Sequence, residues 1–164
     1  MAKAFKKEKS TTHVALDQKD LAILKLLQHN ARITVKEISD KVNLSTTPVF
    51  ERIKWMEETG VIRQYATLVD PAKLNKHLMV IVYVSLKQHN KTAGSKFVKA
   101  INEMNEVLEC YSISGEFDFM LKVLVEDMNV YYDFHVNRLS EIENIGNVQS
   151  VFVMGVVKET HVLI

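Results

Sequence analysis

A single cysteine, Cys110, rules out an internal disulfide and suits a reducing compartment. Six histidines stand singly, and none shares zinc-ligand spacing with that cysteine, so no metal is expected. No nucleophile–base pair and no glycine-rich phosphate loop is visible, so no enzyme or cofactor is expected either. No apolar run reaches the roughly 18 residues of a membrane span, and the basic, polar start MAKAFKKEKSTTH has no apolar h-region. These absences point to a cytoplasmic protein with no membrane partner. The two prolines mark boundaries: Pro48 falls in the first turn of a helix, where its missing N–H costs least, and Pro71 lies in a connector.

Net charge is +1, and its distribution is uneven. Residues 1–65 hold 12 Lys+Arg against 8 Asp+Glu, whereas residues 66–164 hold 9 against 12. A basic front half and an acidic back half suggest two modules, the first suited to a polyanion.

Three helix starts follow in quick succession, each with the same grammar. Asp17 caps LAILKLL, with Leu16 placed to staple onto Leu21. Thr34 and Glu37 form a T-x-x-E capping box, with Ile33 placed against Ile38. Ser45 is the expected N-cap of the third helix, with Leu44 placed against Val49. The predicted helices run about 17–28, 34–41 and 45–58, with Asn43 in a left-handed turn and Gly60 ending the third. These are helix-turn-helix dimensions. At about 100° per residue, Val49, Ile53 and Met56 form the core face of the third helix. Thr47, Glu51, Lys54, Trp55 and Glu58 lie opposite, with Arg52 on the flank. VIRQYATLVDP then reads as a short hairpin, the wing of a winged helix. Such a module sets its third helix in the major groove of double-stranded DNA. Amides and hydroxyls of Ser45, Thr46 and Thr47 would face phosphate, and Arg52, Lys54 and Arg63 are contacts for phosphate or base edges. Trp55 faces a partner or packs under a loop, and Glu51 meets a cytosine amino group or a neighbouring lysine. A three-helix unit with no DNA role is the plainer alternative.

Beyond Asp70-Pro71 the pattern changes. Strands are predicted at 78–86, 107–113, 117–125 and 148–157, and helices at 92–104 and 127–141. The order βαββαβ is a ferredoxin-like sandwich, making the whole chain α+β. The expected domains are a mobile basic tail (1–15), a winged helix-turn-helix (16–70), a linker (71–77) and an αβ domain (78–164). The strands do not alternate apolar with polar. Met79, Ile81 and Tyr83 oppose Leu78, Val80, Val82 and Val84, and both sets are apolar. Helices can cover only one face, so the other predicts a second copy of the sheet, hence a homodimer.

The chain resembles the Lrp/AsnC (feast/famine) family of prokaryotic transcriptional regulators from Leu16 to the C-terminus. The resemblance rests on LDQKDLAILKLLQHNARIT, LSTTPVFERIKWMEETGVI, IRQYATLVDP and SGEFDFMLKV with its trailing EDM, in that order and at these intervals. It implies a winged helix-turn-helix joined to an effector domain, dimers through the sheets, octamers, and regulation by an amino acid. By position, the family's pocket between dimers maps to Ser114, Gly115, Glu116, Phe117 and Asp118. The glycine turn would offer N–H donors to a carboxylate and Asp118 an anion to an ammonium. Tyr111, Met128, Val151 and Val153 are further lining positions. The same turn also reads as a plain hairpin. Two other functions stay open: a siroheme-decarboxylase-like enzyme, for which only Arg138 and the dispersed His77, His89, His135 and His161 are at hand, and an architectural DNA-compacting protein without effector.

Overall fold

The computed structural model describes residues 14–164; the basic tail, up to residue 13, lies outside the described residues. Two compact units are present. The first holds the described residues up to Leu68 together with Lys158–Ile164, and the second is Val69–Val157.

The first unit holds α1 (Gln18–His29), α2 (Val35–Val42) and α3 (Thr46–Glu58), and at the starts of α1 and α2 short polar residues claim orphan amides of the first turn. Asp17 accepts from the Asp20 amide at 2.8 Å, and Asp20 accepts from the Asp17 amide at 2.9 Å. Thr34 and Glu37 form the expected reciprocal box. Asn43, at φ 53°, takes the left-handed turn between α2 and α3, and Gly60, at φ +77°, follows the end of α3. Ile23, Ile38, Val49 and Met56 are fully buried at the centre, with Ile53, Leu44 and Ile33 packed around them. Each such side chain contributes about 1.5–3 kcal/mol by burial.

The expected wing hairpin does not form a β-ladder: residues 61–70 contain no strand. Val61 and Ile62 pack on the helical core and the Ile62 amide donates to Met56 O, tying the segment back to α3. From Arg63 to Asp70 no glycine or asparagine allows the chain to reverse in a tight turn.

The second unit is βαββαβ: β1 (Leu78–Leu86), α4 (Lys91–Asn102), β2 (Val107–Ser112), β3 (Phe119–Val125), α5 (Met128–Phe134) and β4 (Ile145–Phe152). The strands lie antiparallel in the order β2-β3-β1-β4. After α5 the chain makes one π-helical stretch, His135–Leu139, so the single helix expected to about 141 changes its winding. β4 begins earlier and stops sooner than 148–157, because Val153 N–H to Met79 O is its last ladder bond.

Burial alternates along β1 and β3. Val80, Val82, Val84, Phe119, Leu121 and Val123 face the helices and join Phe97, Ile101, Phe134 and Leu139 in one core. Phe97 and Phe119 meet ring to ring at 4.5 Å. The register puts Met79, Ile81, Tyr83, Met120 and Leu124 on the other face, beside Val151 from β4. These side chains are half-buried or exposed. The apolar second face is thus real, and no helix of the unit covers it.

Candidate functional site

The first site is the outer surface of α3. Ser45 occupies the N-cap position in extended geometry (φ −77°, ψ 164°), but its side chain makes no capping bond. The first-turn amides of Thr46 and Thr47 therefore have no intrahelical acceptor, and Pro48 has no N–H to offer. Ser45, Thr46, Thr47, Glu51, Lys54 and Arg63 are all exposed. Trp55 and Phe50 are exposed as well, at 38% and 53%. Lys54 Nζ lies 4.0 Å from Glu58, a pair of exposed side chains that restrains the lysine little. A shallow cleft of about 440 Å³ runs between Asp20, Pro48, Glu51, Arg52 and Trp55. Behind α3, Tyr65 from the wing segment donates its hydroxyl to Glu57 Oε1 at 2.8 Å. Burial and that carboxylate push the phenol up to about 12.

Arg52 differs from its neighbours. Its Nη1 contacts Asp17 Oδ2 at 2.8 Å and Asp20 Oδ1 at 2.6 Å. The hydrogen bond to Asp20 and then that to Asp17 hold the guanidinium above its ordinary value. Conversely, the Asp20 amide, followed by Arg52, holds the Asp17 carboxyl below its own. The D-x-x-D spacing announces the cap of α1, but nothing local announces a partner 32 residues away.

The second site is the loop from Ile113 to Asp118. Gly115 sits at φ +122°, a conformation that side-chain-bearing residues rarely adopt, while a Cβ there would meet nothing within 4 Å. Ser114, Gly115 and Glu116 are exposed, and Phe117 rests against Tyr83 at 5.5 Å between ring centroids. Asp118 is fixed at both ends of its peptide: its amide donates to Val84 O and its carbonyl accepts from Ile113 N, each at 2.9 Å. Its carboxylate is engaged too. Oδ2 accepts from the Leu86 amide at 2.7 Å, and Oδ1 lies 3.0 Å from His89 Nδ1. The carboxylate thus stands in for a strand acceptor where the β1–β3 ladder has ended.

Two of the further lining positions lie on different edges of the sheet. Tyr111 on β2 and Val151 on β4 are at opposite edges of the sheet, three inter-strand steps or about 14 Å apart. Met128 begins α5 instead. Of the dispersed cations, Arg138 is bound to Glu106 and His89 faces Asp118. Cys110 is half-buried on β2, and burial pushes its thiol up, away from reactivity.

Residues 16–63 match the family model of a winged helix-turn-helix DNA-binding domain, and residues 79–163 match that of the Lrp/AsnC ligand binding domain. The leucine-responsive regulatory protein of Haemophilus influenzae is 37% identical over 164 residues, covering 100% of this chain and 99% of that protein. The crystal structure of a transcriptional regulator of Neisseria meningitidis in complex with L-Met has a TM-score of 0.87 at 36% identity, over 91% of this chain and 96% of that one. An AsnC family transcriptional regulator from Agrobacterium tumefaciens gives 0.84 at 38% identity, over 89% and 95%.

Proposed function

Because the chain belongs to the Lrp/AsnC family, it is a DNA-binding transcriptional regulator and not an enzyme, and we propose that a free amino acid or related metabolite tunes its DNA binding or its assembly. The observation that carries this reading is the Gly115–Asp118 loop within the ligand-binding domain. Its positive-φ glycine is exposed, where main-chain N–H groups would meet a ligand carboxylate, and the Asp118 carboxylate lies three residues on. Those are the complementary charges of a zwitterion. The L-Met bound to the Neisseria regulator supports the ligand class.

The DNA-binding surface is assigned to Ser45, Thr46, Thr47, Glu51, Lys54, Trp55 and Arg63, all exposed. Open first-turn amides seat a phosphate, Lys54 and Arg63 extend the electrostatic contact, and Trp55 adds apolar area. The effector set is Ser114, Gly115, Glu116, Phe117 and Asp118. In a single chain these residues form a rim on the surface. A second dimer closing over them would complete the site, which links effector binding to the step from homodimer to octamer. The uncovered sheet face supplies the dimer contact. The protein would work in the cytoplasm, where its DNA is.

A thermal melt against each of the twenty amino acids at millimolar concentration tests the effector. A ligand at a hundred times its dissociation constant adds about 2.7 kcal/mol to the folded state. A shift with one amino acid or a related group supports the reading. No shift with any of them removes amino acids as the effector class.

A further inference from the structure

We infer that Arg52 serves DNA binding as a positioning residue: its guanidinium sets the angle of α3 by clamping it to the capped start of α1. This rests on the assignment of α3 as the helix that meets DNA.

The hydrogen-bond accounting is complete on the acidic side. Asp17 Oδ1 accepts the Asp20 amide and Asp20 Oδ2 accepts the Asp17 amide. The two remaining oxygens, Asp17 Oδ2 and Asp20 Oδ1, both take Arg52 Nη1. Nη1 donates to Asp20 Oδ1 and pairs by charge with Asp17 Oδ2. The Asp20 side chain is only 5% exposed, and that of Arg52 is 32%. Removing the cation would strand a buried carboxylate, which is the costly way to break such a pair.

Charge makes the role separable from direct contact. Two carboxylates and one guanidinium leave the cluster at −1, beside the helix that must approach a polyanion. As a local field it repels DNA. Its contribution must therefore come from geometry. Pro48, Glu51 and Trp55 share a cleft with Asp20 and Arg52, so a tilt of α3 about this clamp moves the residues that meet the groove.

The test is DNA affinity by fluorescence anisotropy across a range of salt. The probe is a duplex that the wild-type protein recovers from a random-sequence pool. All variants are compared below their melting temperatures, with helicity checked by circular dichroism. Arg52→Met should weaken binding about tenfold or more while leaving the salt slope at the wild-type value. Asp20→Asn should weaken it too, although it removes a negative charge. The double variant should be no worse than the worse single one, because both break one clamp. Arg52→Lys should recover part of the loss. Two results would overturn the inference. One is Asp20→Asn binding as tightly as wild type or tighter. The other is a salt slope shallower by about 0.9 in Arg52→Met, the mark of a lost phosphate contact. Failure of the wild type to select any duplex would instead strike the assignment of α3 to DNA.

Discussion

Asp118 and Leu86 are joined side chain to main chain, Oδ2 accepting the Leu86 amide at 2.7 Å where the β1–β3 ladder has run out. Two roles are therefore stacked on one carboxylate, and two substitutions separate them. Asp118→Ala leaves the Leu86 N–H without its acceptor, which costs about 1–3 kcal/mol if water does not replace it. Asp118→Asn keeps a carbonyl oxygen for the Leu86 amide and removes the charge, with an NH2 in place of the oxygen that faces His89. The expected outcome is that Asn melts in urea near wild type, Ala melts earlier, and both bind the amino acid more weakly. Undiminished binding by Asp118→Asn, read by calorimetry, would take the ammonium away from this residue.

Gly115 should resist substitution for conformational reasons alone. At φ +122° an L side chain is strained, yet the space around a built Cβ is empty. Gly115→Ala should therefore cost about 1–3 kcal/mol in a urea melt, the range for a residue held in a sparsely populated region. A clash would bring a larger loss. A melt within 0.5 kcal/mol of wild type, roughly the scatter of a neutral surface change, would show that the loop relaxes freely.

Acid should loosen the first unit through its caps. The Thr34 amide, then its hydroxyl, hold Glu37 below its ordinary 4.5, and the Asp20 amide and Arg52 hold Asp17 below 3.8. A lowered folded value means stabilisation that is present above the ordinary value and lost as pH falls through the folded one. Glu37→Gln preserves the shape of the box without the charge. The variant should be the less stable at pH 7, and the gap should close as pH drops below 4.5. Urea midpoints from pH 7 to about pH 3 measure it; a constant gap would mean that the charge contributes nothing.

What was legible in the sequence divides by distance along the chain. Asp17, Thr34, Asn43 and Gly60 act on residues within four positions, and their roles match the expectation. The two apolar faces of β1 were legible for the same reason, since a strand's period is two residues. The sequence shows Arg52 as a candidate DNA contact but not its partners Asp17 and Asp20, which are 35 and 32 positions away and meet it only through the packing of α1 on α3. For Asp118 the sequence shows an anion suited to an ammonium, but its bond to the Leu86 amide depends on where the neighbouring strand ends. Of the wing, only the hairpin was over-read: aromatic and β-branched residues mark an extended chain, but a ladder needs a second strand, and 61–70 has none within the described residues.

Ile81 is the most informative position on the uncovered sheet face. The register sets it between Val151 of β4 and Lys122 of β3, with Lys122 Nζ held by Glu109 at 3.2 Å. A stable interface of ordinary size buries about 800 Å² per partner, with apolar residues at its centre. Ile81→Lys places a second ammonium beside Lys122 there, which a single half-exposed face tolerates and a closed sandwich does not. The wild type should sediment at micromolar concentration as a dimer or larger, and Ile81→Lys as a folded monomer of about 18.8 kDa with an unchanged far-ultraviolet spectrum. Its DNA affinity should fall with it, because two half-sites bound by linked modules gain an effective concentration that separate modules lack. A wild type that sediments at 18.8 kDa would exclude the sheet as a dimer contact at that concentration. A dimeric Ile81→Lys would move the contact to another surface.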